Sequence, residues 1–256
     1  MKLGVCGSLG SAETIKKCGF DFVEENFSRL ALMTDDEFSA TADGYKKLGV
    51  AVLSTNGFLP GGYVVYDKTP DEIEEYTARG MARAASLGVA TVVIGSGAQR
   101  NIPAGADRAA YEGKFVKTVA SVADIAKEYG INVVVEPLSR AETNLVNFVS
   151  ESVAVAKATE RKNVGAMVDF FHFYMNGDGA DELKCAKGTL CHAHLARANP
   201  DRLMPTSESE LPTLGKWAAM LKGIGYGGNL SLEGFFGDDL EATLTKTRPL
   251  LDVFIK

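Results

Sequence analysis

Residues 131–137 read Ile131-Asn132-Val133-Val134-Val135-Glu136-Pro137. The valine run has the composition of a strand buried on both faces, and it stops on an acid followed by proline. A strand of that kind belongs in a parallel sheet, where helices cover both sides. Amphipathic stretches flank it, Asp107–Tyr129 before and Ser150–Thr159 after. The alternation continues outward in both directions. Upstream, strands are expected at Lys2–Cys6, Phe22–Glu25, Val50–Ser54 and Thr91–Gly95, with helices at Ser11–Lys17, Asp35–Leu48 and Pro70–Leu87. Downstream, strands at Gly165–Asp169, Leu190–Leu195 and Asn229–Glu233 precede helices at Ala180–Lys187, Leu214–Gly223 and Leu240–Ile255.

Eight strand–helix units in 256 residues are the arithmetic of one (β/α)8 barrel, a TIM barrel, with residues 1–256 forming a single catalytic domain. The punctuation agrees. Leu48-Gly49, Leu87-Gly88, Tyr129-Gly130 and Ile224-Gly225 put glycine where a left-handed cap ends a helix. Thr69-Pro70-Asp71-Glu72 combines a hydroxyl cap, an early proline and first-turn acids. The competing architecture is an open doubly wound sheet with a dinucleotide-binding turn. Gly7-Ser8-Leu9-Gly10 is too short for that turn and lacks an acidic ribose partner.

Composition narrows the class further. Hydrophobic residues at 46% and charged residues at 23% exclude a disordered chain. The net charge of −6 gives no broad basic footprint, so nucleic acid is not an expected partner. No run reaches the roughly 18 apolar residues of a spanning helix, and the N-terminus makes a poor secretory signal. Cys6, Cys18, Cys185 and Cys191 form no Cys-x-x-Cys pair and read as buried or partly buried free thiols. The expectation is a cytoplasmic protein acting on a small molecule, away from membranes. A homo-oligomer is compatible with a barrel, though no surface feature demands one.

A barrel of this kind carries its site at the C-terminal ends of the strands. The last four strands end on Glu136, Asp169, His192-Ala193-His194 and Glu233. Singly, each has an ordinary reading: a loop acid before proline, a helix N-cap, a core histidine. Together they bring three carboxylates and an imidazole to one rim, and carboxylates so gathered need a cation between them. The oxygen-rich set suits one divalent ion, Mn2+ first, with Mg2+, Co2+ or Fe2+ as alternatives. His192 and His194 point to the same face of their strand, and His192 reads as the deeper, structural one.

These residues carry a family resemblance. Glu136-Pro137-Leu138-Ser139-Arg140-Ala141-Glu142-Thr143-Asn144, Asp169-Phe170-Phe171-His172, His192-Ala193-His194 and Gly225-Tyr226-Gly227-Gly228 before Leu232-Glu233 resemble the signature segments of ketose 3-epimerases. These are the tagatose, psicose and allulose enzymes. More broadly, the chain resembles the sugar phosphate isomerase/epimerase superfamily of xylose isomerase-like TIM barrels. The resemblance implies metal ligands at Glu136, Asp169, His194 and Glu233, and substrate contacts at Glu142, His172 and Arg202. It departs from the epimerases around Arg202, which follows the histidine strand after the inserted-looking stretch Arg197-Ala198-Asn199-Pro200-Asp201.

Such a site suits proton transfer beside a ketose carbonyl through an enediolate, with Glu136 and Glu233 as the acid–base pair on opposite faces of the sugar. Aldose–ketose isomerisation uses the same intermediate, and cleavage of an oxidised sugar is a further alternative. A multi-zinc abasic-site nuclease would need histidines on the earlier strands, but all three lie between 172 and 194. A non-enzymatic sugar-binding barrel is disfavoured by the complete ligand set. Elsewhere, Gly95–Arg100 reads as a rim loop, with an anion cradle using Arg100 as the alternative. Asn56–Gly62 reads as a mobile lid, and Trp217 as core. Phe170, Phe171, Phe173 and Tyr174 divide between a sugar-facing wall and packing. Asp71–Glu75 reads as a solvated helix start.

Overall fold

The computed structural model describes residues 1–255. Eight parallel strands close into a barrel in chain order: β1 (Lys2–Cys6), β2 (Phe22–Asn26), β3 (Ala51–Asn56), β4 (Thr91–Ile94), β5 (Asn132–Val135), β6 (Val164–Asp169), β7 (Leu190–Leu195) and β8 (Asn229–Leu232). Pairing of β1 with β8 completes the ring. The helices are α1 (Leu9–Lys17), α2 (Phe27–Leu32), α3 (Asp35–Leu48), α4 (Pro70–Leu87), α5 (Arg108–Glu128), α6 (Val149–Ala158), α7 (Phe170–Asn176), α8 (Ala180–Lys184), α9 (Leu211–Gly223) and α10 (Leu240–Leu250). Every expected strand is present to within two residues at either end.

The helix signals act as written. Thr69 caps α4 through a reciprocal capping box with Glu72, and Pro70 opens the helix. Gly49 and Gly88 end α3 and α4 in the left-handed conformation. In the acidic start of α4 only Ile73 is buried.

Two helices were not expected, α2 and α7. Each follows directly on a strand, and at six and seven residues neither is long enough to display amphipathic periodicity. The residue that ends each strand caps each helix: Asn26 accepts from the Arg29 N–H and Asp169 from the Phe171 N–H. The C-terminal stretch also differs, since α10 stops at Leu250 and tightens into a 3-10 turn at Leu251–Phe254.

The main apolar core lies between the strands and the helix layer. A small separate cluster joins Val93, Val134 and Met167 of β4, β5 and β6. On the other side of the ring β2, β3, β7 and β8 contribute Glu24, Ser54, His192, His194 and Ser231, all buried. The four cysteines are free; Cys6, Cys18 and Cys191 are partly buried as expected, while Cys185 is exposed, contrary to the buried or partly buried placement expected. Among the described residues no helix is long and apolar enough to cross a membrane.

Two loops differ from their expected roles. Asn56–Gly62 is anchored at its base: Phe58 stacks on Phe27 at 4.7 Å, and the Leu59 N–H donates to Ser96 Oγ at 2.9 Å. Phe58 and Leu59 are buried, so the reading of the whole segment as a lid is corrected, and only the Gly61-Gly62 tip stands in solvent. The anion-cradle reading of Gly95–Arg100 is corrected as well. Arg100 is wholly buried and donates to the main-chain carbonyls of Ile94, Glu136 and Val146. It ties the ends of β4 and β5 together and offers no cation to the rim.

Candidate active site

Parallel strands send all their C-terminal ends to one rim, and there Glu136, Asp169, His194 and Glu233 converge. One ligand atom from each lies within 4.8 Å of every other. The His194 Nδ1 atom is 3.0 Å from Glu233 Oε2 and 3.4 Å from Glu136 Oε1. Asp169 divides its oxygens, with Oδ1 capping α7 and Oδ2 facing the cluster. The two sequence readings of this aspartate, cap and site residue, therefore hold together. Gly95 makes room for the cluster: a Cβ there would stand 2.3 Å from Glu136 Oε2.

The cluster fits a cation on its own chemistry. Glu136 Oε1 and His194 Nδ1 are buried and have no hydrogen-bond partner, which is a costly arrangement unless another group completes it. Burial and the neighbouring Glu233 carboxylate push Glu136 above the usual carboxylate range. Burial also acts upward on Glu233, but His194 and Arg202 outweigh it and hold that carboxyl down to about 2. For His194 burial opposes the charge, yet Glu24 and Glu233 raise its pKa well above the ordinary value. A divalent ion held by these residues would take the place of a proton at His194 Nδ1 and would relieve the same crowding of negative charge.

The three residues expected to touch substrate stand around this cluster. His172, on α7, is buried, and its Nδ1 accepts from the Ser139 N–H at 3.1 Å. Its Nε2 then carries the proton in the neutral ring and points toward Asp169 Oδ2 at 3.5 Å. Glu142 lies at the mouth, partly exposed, with Oε1 3.7 Å from His172 Nδ1. Arg202 reaches inward, its Nη2 atom 2.8 Å from Asp169 Oδ2 and 2.7 Å from Glu233 Oε2.

The long connection after β7 is what delivers Arg202. Arg197 and Asp201 pair within the loop, and Arg202 itself takes a left-handed backbone conformation with φ of 51°. Its carbonyl accepts from the Phe235 N–H at 2.9 Å, an approach that requires Gly234, where a Cβ would lie 2.3 Å from that oxygen. Phe171 supports the guanidinium face-on at 4.7 Å. The aromatic run accordingly divides. Phe171 lines the site, while Phe170 stacks on the buried Trp217 at 4.8 Å and Tyr174 is exposed.

Sequence reasoning missed two contributors. Asn56 Nδ2 donates to Glu233 Oε1 at 2.6 Å. Glu24, at the centre of the barrel, accepts from Ser54, His192, His194 and Ser231. Burial works against its charge, but the two imidazoles and their hydrogen bonds hold it well below the usual carboxylate range. The pair of acids Glu24-Glu25 directly after Phe22-Val23, within a strand, was the available signal. His192 is a satisfied core histidine at Nε2, as expected. Cys6, Glu24 and His194 also approach one another. That trio makes a poor cation site, since Glu24 already serves four donors and burial raises the Cys6 thiol well above its ordinary pKa.

A closed eight-stranded barrel with an acid–imidazole cluster at its C-terminal rim defines a class of barrel enzymes. Comparison with known proteins identifies the group within it. The chain belongs to the xylose isomerase-like TIM barrel family, whose model matches residues 12–251. It is 27% identical over 241 residues to a D-psicose 3-epimerase of Agrobacterium fabrum, covering 87% of this chain and 78% of that one. The structure of a D-psicose 3-epimerase in the presence of D-fructose superposes with a TM-score of 0.82 at 21% identity, covering 98% of this chain and 97% of that one. The structure of the IolI protein with a bound zinc atom gives a TM-score of 0.76 at 21% identity, covering 99% and 98%. Other relatives are named inosose isomerase and 2-oxo-tetronate isomerase.

Proposed function

We propose that this protein is a divalent-metal-dependent sugar epimerase that inverts C3 of an unphosphorylated ketose. The isomerase class follows from its family and from relatives named as epimerases and isomerases. The observation that carries the reading is the convergence of Glu136 and Glu233 on His194 Nδ1, with Glu136 Oε1 and His194 Nδ1 both buried and without a hydrogen-bond partner.

Glu136, Asp169, His194 and Glu233 would hold the ion, Mn2+ by preference for an oxygen-rich set with one imidazole. Once bound, it supplies Lewis-acid polarisation of the ketose carbonyl and lowers the pKa of the neighbouring C–H. One glutamate removes that proton and the other returns a proton to the opposite face, which inverts the carbon. His172, with its proton on Nε2, donates to a substrate oxygen, and Arg202 orients a hydroxyl or the carbonyl. Glu142 accepts from a polyol hydroxyl at the mouth. An uncharged substrate agrees with the commitments of the cations: Arg100 is spent on main-chain carbonyls and Arg202 on carboxylates.

A second reading, isomerisation with the proton returned to the adjacent carbon, is favoured by the relatives named isomerase. One experiment separates them. The Mn2+-loaded enzyme is incubated in D2O with a panel of unphosphorylated ketopentoses and ketohexoses and followed by proton NMR. Deuterium at C3, abolished by EDTA and restored by Mn2+, is the expected result. Deuterium at C1 identifies an isomerase, and no incorporation from any sugar overturns both.

A further inference from the structure

The buried hydrogen-bonded set from β2, β3, β7 and β8 centres on Glu24, a residue to which the proposed chemistry gives no part. Ser54 Oγ at 2.7 Å, Ser231 Oγ at 2.6 Å and His192 Nε2 at 2.7 Å all meet its Oε2 atom, while His194 Nε2 meets Oε1 at 2.8 Å. A carboxylate oxygen has about two lone-pair positions, so Oε2, with three donors, is fully in use, whereas Oε1 receives one donor. The hydroxyls and His192 hold the Oε2 side still, and Oε1 is left with a single partner, the histidine that faces the acid cluster. Glu24 and His194 are both completely buried, so no water competes for that contact.

The consequence lies in the imidazole. Glu24 accepts only, so His194 Nε2 must keep its proton. The lone pair of the neutral ring then sits on Nδ1, the atom that points at Glu136 and Glu233 and has no partner of its own. We propose that Glu24 is a positioning residue: through its hydrogen bond to Nε2 it fixes the tautomer, the ring angle and the basicity of His194, so that Nδ1 is presented to a divalent ion. This rests on the reading that Glu136, Asp169, His194 and Glu233 hold such an ion. A ligating histidine whose remote N–H is held by a carboxylate gains basicity, and removal of that partner typically weakens metal binding about 10–100-fold.

Glutamine in place of Glu24 keeps the shape but offers one acceptor oxygen and an NH2 group that faces donors. Glu24→Gln is therefore expected to bind Mn2+ about 10–100-fold more weakly than wild type by isothermal titration, while Ser54→Ala, which touches only the Oε2 side, stays within about threefold. A role confined to stability would lower the melting temperature of Glu24→Gln and leave Mn2+ affinity in the folded protein unchanged, and that result overturns the proposal. A measurement on the wild-type protein decides the matter if the variant fails to fold. In 15N-histidine-labelled protein, His194 is expected to show a protonated Nε2 in both the metal-free and Zn2+-loaded states, with Nδ1 alone shifting on Zn2+ addition. An Nδ1–H tautomer, or a shift at Nε2 on Zn2+ addition, sinks it. Absence of any divalent-ion binding by wild type defeats the metal reading, whereas the protonation state of Nε2 still tests the role of Glu24.

Discussion

Glu136 and Glu233 show how little of a residue's chemistry resides in its type. Both are glutamates placed just past a strand, yet burial lifts one above the usual range while His194 and Arg202 hold the other near 2. Replacing either by Gln is expected to lower turnover by about 10²–10⁴-fold, the usual worth of a positioned acid or base. Circular dichroism and the melting temperature measured in EDTA should stay close to wild type, and near-normal turnover in either variant would refute the assigned pair. A different acid adds its own pH dependence to stability. Burial, then the Glu182 carboxylate, raises Asp178 to about 6 against the pull of Arg140. Its protonated form is thus favoured in the folded state, so its contribution is full below the unfolded value near 4 and is lost as pH rises through 6. Asp178→Asn is expected to stabilise the protein at pH 7 by about 1 kcal/mol, after discounting for partial exposure, and to change nothing at pH 4. Urea midpoints at the two pH values check it.

At the scale of elements, the helices that sequence periodicity revealed are mostly the long ones, with the five-residue α8 the exception. The Pro70–Leu87 helix is present with the bounds its cap and glycine stop predict. The short helices α2 and α7 escaped because six or seven residues make too few turns to show a face, and because the capping signals Asn26 and Asp169 also read as strand ends. Arg100 escaped for another reason: glycines around an arginine look like an anion loop until the side chain is seen to turn inward. Its three carbonyl acceptors join β4, β5 and the segment at Val146. Arg100→Met should therefore destabilise the fold by about 3 kcal/mol, because buried carbonyls lose their donors. A chemical-denaturation curve matching wild type would contradict this clamp.

At the scale of the whole molecule, the barrel gathers three carboxylates and a histidine at one rim, and their mutual repulsion is part of the folding balance. An ion that binds only the folded state would offset it. At a free Mn2+ concentration 100 times the dissociation constant the gain is about 2.7 kcal/mol, or roughly 5–10 °C in melting temperature for a chain of this size. Thermal scans with EDTA and with Mn2+ should differ by that interval. Glu136→Gln should shrink the difference, and an unchanged melting temperature across the two conditions would argue against a shared ion.

The barrel, its strand order and its rim acids were legible without coordinates, because each follows from local facts. Parallel strands need crossover helices, β-branched runs recur at regular spacing, and a residue just past a strand end has one rim on which to lie. The structure alone decided what closure brings together from distant parts of the chain. Glu24 and His194 are separated by 170 residues, and nothing near Glu24 in the sequence marks it as the partner of a histidine about two-thirds of the chain away. Likewise the loop that carries Arg202 acquires its direction from Gly234 and Phe171, which touch it only in the folded state. Strand periodicity is a property of neighbours along the chain. The hydrogen bonds and charges that tune the site act across the barrel, where separation in sequence carries no information about distance.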